Sequence, residues 1–132
     1  MLERNYAAVG GSLDEIRSGR KNIGSEALSG YMLNIASQEN PFRMIGAMFI
    51  VEGLGNRISR QWGERIQQQL DLPNEAVSFF LYHAESDIKH FRRLDQAIAT
   101  GILTENLVRE IVKCAKVTGR LYALQLEEIG NF

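Results

Sequence analysis

Residues 74–100 read NEAVSFFLYHAESDIKHFRRLDQAIAT. The turn "DLPNE" leads into this run and Gly101 closes it, so the pattern predicts one long helix from about Asn74 to Thr100. At 100° per residue, His83, Asp87 and His90 fall within about 60° of one another. The same face carries Ala76, Phe79, Phe80 and Leu94, while Glu85, Lys89 and Arg92 lie toward the other side. The only two histidines of the chain, with an acid between them, therefore sit on the apolar stripe and are expected to point at the core.

The rest of the chain reads as helix too. A short first helix, Leu2 to Ala8, stops at Gly10-Gly11. Ser12 and Glu15 form a capping box for a short polar second helix that is expected to run out near Asn22 to Gly24. Ser25 is expected to cap a third, from about Glu26 to Ser37, with Leu28, Tyr31, Met32 and Ile35 as its apolar stripe. Asn40 as cap and Pro41 as first helical residue open a fourth that reaches about Leu70. Gly46, Gly53, Gly55 and Gly63 interrupt it, which suggests close packing or a bend. Thr104 caps the last helix, which ends near Gly130. No stretch alternates apolar and polar residues for long enough to make a strand. The expectation is an all-α single domain over residues 1–132.

Composition narrows the function classes. Apolar residues make up 45 % of the chain and charged residues 23 %, which is ordinary for a globular protein. The net charge of −1 gives no electrostatic reason to expect nucleic acid or an anionic membrane surface as partner. The longest apolar run, "MIGAMFIV" at 44–51, is far short of the roughly 20 residues that a bilayer requires. Cys114 is the single cysteine, so no internal disulfide can form, and a reducing cytoplasm is the expected compartment. Cys114 itself lies on the apolar side of the last helix and reads as core packing.

Two imidazoles and a carboxylate are costly to bury unless something satisfies them. One solution is a hydrogen-bonded polar cluster. The other is a metal ion, since imidazole and carboxylate together suit iron, manganese or zinc. Glu52 adds a fourth candidate, because it interrupts the apolar run "MIGAMFIVEGLG" where a solvated charge would be out of place. It could instead pair with Arg57 or Arg60. Measured against the turn at 71–74, Glu52 and the His83–His90 segment do not come level in a straight antiparallel pairing. A bend at Gly63 or an early end to the fourth helix is expected to correct this.

The triplet His83-x3-Asp87-x2-His90, preceded by Glu52 in "FIVEGLG", resembles the C-terminal half of the haem-oxygenase-like di-iron oxidases and oxygenases. These are all-helical proteins related in fold to haem oxygenase, the TenA thiaminases and the pyrroloquinoline-quinone synthase. The resemblance covers roughly residues 25–129. It implies a haem-oxygenase-like bundle of five to six helices, apparently truncated at the N-terminus. It implies Glu52, His83, Asp87 and His90 as ligands of one or two iron ions, and dioxygen-dependent oxidation of a small organic molecule. Met48, Phe79 and Phe80 are the candidate pocket-lining residues.

The chain also departs from that family, which carries Glu-x6-His on an earlier helix and is usually longer. No such motif and no third histidine occur here. Three arrangements follow. A separate polypeptide carries the N-terminal half, or a second copy of the chain fills the gap, or the helices hold one metal or none. The competing reading is a non-enzymatic interaction or scaffold domain, with the same four residues as a buried polar cluster. A cofactor-free enzyme of the TenA or quinone-synthase kind and a haem-binding protein are the remaining readings.

Overall fold

The computed structural model describes residues 1–101 and 103–131. Among them the chain forms six α-helices and no strand: α1 (Leu2–Ala8), α2 (Leu13–Ser18), α3 (Ile23–Ala36), α4 (Met44–Leu70), α5 (Asn74–Ala99) and α6 (Glu105–Glu127). A 3₁₀ turn at Pro41–Arg43 precedes α4. Among the described residues, no helix is long and apolar enough to cross a membrane. The residues group into two compact units, one of Met1–Gly19 with Glu52–Arg92, the other of Arg20–Val51 with Arg93–Phe132.

In the first unit, α4 and α5 run antiparallel through the tight turn at 71–73. Asp71 takes the left-handed conformation, φ 50°, that most often falls to glycine at a helix C-terminus. The amide of Leu72 then donates to the carbonyl of Gln67, closing the last turn of α4. Above the turn, each step back along α4 is matched by an equal step forward along α5. Gln67 bonds Asn74 at 2.7 Å, Gly63 lies against Phe80, and Gly55 lies against Asp87. Arg60 pairs with Glu85 at 3.0 Å on the exposed edge. The early end considered for α4 does not occur: α4 is one continuous helix to Leu70, and Gly63 lets Phe80 approach the backbone closely.

The short α1 is fastened to α5 by one side chain. The buried amide of Asn5 accepts from the Phe79 N–H at 3.1 Å and donates to the Glu75 carbonyl and to Ser78 Oγ. Phe79 and Glu75 are the two groups that an α-helix pairs with each other. The capping box is present as expected, with Ser12 Oγ accepting from Glu15 N and the Glu15 carboxylate accepting from Ser12 N. These bonds to Ser12, backbone first, hold the pKa of the Glu15 carboxyl below its ordinary value.

The second unit is built on α3 and α6. Ile35, Ala47 and Cys114 are its buried apolar centre, with Tyr31, Met32 and Met44 packed around them. Two boundaries differ from expectation. The second helix stops at Ser18, because Gly19 turns extended. The third begins at Ile23 with Asn22, not Ser25, as its cap. The reason lies far away in sequence. Asn22 Oδ1 accepts from Ser25 N at 2.8 Å, while its Nδ2 donates to the carbonyls of Gln125 and Glu128 at the end of α6. One buried amide thus serves both helix termini.

Two outcomes are expected. Asn22→Ala removes a cap and leaves two carbonyls without their donor, costing about 2–3 kcal/mol in urea unfolding. Asn22→Ser keeps the cap alone and should recover roughly half of that loss. Burial, then the adjacent Cys114 thiol, pushes the Tyr31 phenol up to about 12 from its ordinary 10.0. The folded state therefore holds this proton more tightly than the unfolded chain. Its contribution is complete below pH 10 and disappears as pH rises toward 12. Tyr31→Phe should lack that alkaline loss when unfolding is followed by circular dichroism across the range.

Candidate metal centre

The register of α4 and α5 brings Glu52 and His90 to the same level. Glu52 Oε2 accepts from His90 Nδ1 at 3.1 Å, and Asp87 Oδ1 lies 3.7 Å from the same nitrogen. One ligand atom from each of Glu52, Asp87 and His90 falls within 4.8 Å of the other two. All three residues belong to the first unit. Asp87 is buried, Glu52 is mostly covered, and the His90 side chain is half open, 49 % exposed. His90 therefore stands at the rim of the helix pair and not, as the helical projection suggests, in the core.

Asp87 can be buried because α4 makes room for it. A Cβ on residue 55 would overlap the Asp87 carboxylate, so only glycine is compatible with this approach. Ser86 Oγ donates to Asp87 Oδ1 at 3.1 Å. Arg57, considered from the sequence as a partner for Glu52, is exposed, and Arg60 is engaged by Glu64 and Glu85.

His83 is placed outside this cluster. Seven residues separate it from His90, which at 1.5 Å each is about 10 Å along the helix. His83 is not among the three residues whose ligand atoms fall within 4.8 Å of one another. His83 Nδ1 meets the Phe79 carbonyl at 2.8 Å. A carbonyl only accepts, so Nδ1 is the donor in this contact. The Phe79 ring lies against the imidazole, with centroids 4.1 Å apart. Phe80 lines a different, open apolar pocket with Leu2, Tyr6, Val9, Ile66 and Val77. Met48 is 37 % exposed.

A further cavity belongs to the second unit. It measures about 440 Å³ and is walled by Phe49, Ile50, Ile98, Ile111 and Val112, with Lys116 as its charged member. Its walls come from α4, α5 and α6, and the sequence signalled it only as apolar stripe.

The donor set fits iron. Two carboxylates and one imidazole suit iron, manganese or zinc. Ligands that share a metal at about 2.1 Å lie roughly 3 Å apart when adjacent, close to the separations around His90 Nδ1. Glu52, Asp87 and His90 are the residues that would hold the ion.

Comparison with known proteins bears on this centre. The profile of a family described as iron-containing redox enzyme matches residues 1–123. A crystal structure of a domain of unknown function with a haem-oxygenase-like fold, from Shewanella denitrificans OS217, superposes with a TM-score of 0.86 at 23 % identity. The match covers 96 % of this chain and 54 % of that one, so the chain spans about half the length of that protein. The fold is thus haem-oxygenase-like. No curated sequence matches the chain significantly.

The contact at residue 55 gives a direct check. Gly55→Ala is expected to cost about 1–3 kcal/mol, since the new methyl must displace a buried carboxylate. In an Asp87→Ala background the penalty should shrink or reverse. The two closest atoms belong to the Asp87 carboxyl and are then gone, and the residue-87 Cβ stands at an ordinary 3.4 Å. A four-member urea-denaturation cycle measures the coupling.

Proposed function

We propose that this chain, which belongs to the family of iron-containing redox enzymes, is an iron-dependent oxidase or oxygenase acting on a small organic molecule, with a metal centre shared with a further polypeptide. The observation that carries this reading is the convergence of Glu52, Asp87 and His90 from two helices onto one point. Bound iron supplies one-electron redox chemistry toward dioxygen, which no side chain of this protein can supply.

The protein's own residues do the rest. Asp87 is the fixed member, because burial and the Gly55 contact allow its carboxylate a single position. Glu52 orients the His90 ring through the bond at Nδ1. The open side of His90 leaves an approach for small molecules from solvent. His83, oriented by its Nδ1 contact with the Phe79 carbonyl, turns its Nε2 edge away from that bond. Glu52, Asp87 and His90 would hold the ion from one side and leave it open to other donors.

A second reading has its own support. The Glu52–His90 bond and the Ser86–Asp87 bond satisfy these groups without any ion, as a structural polar cluster in an interaction domain would.

Anaerobic Fe(II) titration, with bound iron measured after gel filtration, separates the two. The metal reading expects retained iron. It also expects a midpoint of thermal unfolding that rises with Fe(II), because a ligand that binds only the folded state stabilises it. Asp87→Asn and His90→Ala should each reduce affinity at least about tenfold while leaving the helical spectrum intact. Protein that stays folded, retains no iron and shows no thermal shift identifies the polar cluster.

A further inference from the structure

The cavity of the second unit encloses about 440 Å³, within the usual range of small-molecule sites. Lys116 aside, its walls are apolar, among them Phe49 and Ile50 of α4, Ile98 of α5, and Ile111 and Val112 of α6. All of its wall residues lie in the second unit, and none belongs to the Glu52–Asp87–His90 cluster. Gly119 keeps the space open. It sits well inside α6, where glycine is among the least favourable residues. Packing does not require it, because a Cβ there would meet only Ile50 Cδ1, at an ordinary 3.9 Å. Gly46 is the contrast, since a Cβ there would run into the Ile111 carbonyl. A longer side chain at 119 would instead occupy the cavity.

The mouth carries charge of one sign. A shallower depression shares Val112 and Lys116 with the cavity and adds Arg109 and Lys113. Arg109 is neutralised by Glu105 at 2.9 Å. The other ion pairs of α6 join Glu110 to Arg43 and Arg120 to Glu127, so among the described residues both lysines are left without one. Lys113 and Lys116 are exposed and three residues apart, hence neighbours on one helix face.

We propose that this cavity binds a single-chain aliphatic phosphate monoester, with the chain against the walls and the head group at Lys113 and Lys116. Two unpaired ammonium groups match the nearly double negative charge of a phosphate monoester at neutral pH, and lysine binds phosphate as a point charge. The walls are mostly aliphatic, and a cavity without polar partners for water favours an apolar occupant. An apolar cavity of about 150 Å³ admits a benzene ring, so this one takes a chain of roughly 10–16 carbons. The site stands whether or not the cluster on α4 and α5 holds iron, because the two share no residue.

Isothermal titration calorimetry with decyl phosphate, decanoate and decanol, each below its micellar concentration, tests this. Decyl phosphate is expected to bind at one per chain, decanoate at least about tenfold more weakly, and decanol more weakly still. Lys113→Glu combined with Lys116→Glu, both at exposed positions, should erase the preference for phosphate. Gly119→Leu should remove binding and leave the helical spectrum unchanged. Decanoate or decanol that binds as tightly as decyl phosphate overturns the proposal. So does uptake of several equivalents per chain, a Gly119→Leu protein that binds like wild type, or wild-type protein that does not bind decyl phosphate.

Discussion

The antiparallel register of α4 and α5 governs the chemistry of the first unit, and it is fixed where side chains of α5 meet glycine backbone on α4. At Gly63 the occupant is Phe80, and at Gly55 it is the Asp87 carboxylate. Both positions forbid a Cβ, so sliding one helix by a turn would drive side chain into side chain at both levels at once. A turn of α-helix is about 5.4 Å, far more than packed helices absorb by local adjustment. The same register delivers Glu52 to His90. The ligand cluster is therefore a product of packing, and the two glycines matter to it although neither offers a donor atom.

Burying Asp87 works against folding unless its charge is compensated. Within the chain, the compensation comes from the Ser86 hydroxyl and the neighbouring imidazole of His90. Beside it lies Glu52, a second acid brought near the same ring. Two carboxylates brought to one imidazole are a donor set that a divalent cation can compensate in full. This is the physical reason for preferring a metal-binding role over a purely structural cluster. The membership of the chain in an iron-containing redox family points the same way.

Much of this was legible in the sequence. All six helices, the capping roles of Ser12, Asn40 and Thr104, and the inward call of Glu52 and Asp87 follow from local patterns and from carboxylates set within apolar stripes. Local patterns could not reveal Asn22 as the cap of α3, because what selects it over Ser25 is a pair of carbonyls a hundred residues away. A helical projection gives an angle and no height. It placed His83 and His90 on one face but could not show that the bond from Nδ1 to Phe79 and the seven-residue rise set His83 apart from Glu52. The same loss of height made Glu52 look out of level with the whole His83–His90 segment, whereas it meets His90.

The Asn5 side chain carries a consequence of another kind. A seven-residue helix is too short to persist in water by itself, so α1 exists only while docked. Its anchor occupies both the amide of Phe79 and the carbonyl of Glu75, which are natural partners within α5. If α1 lifts away, those two groups can bond each other and the vacated turn heals itself. Undocking is thereby cheaper than the three lost hydrogen bonds suggest. Release of α1 would thus leave the backbone that carries Phe79, against which His83 rests, as intact α-helix.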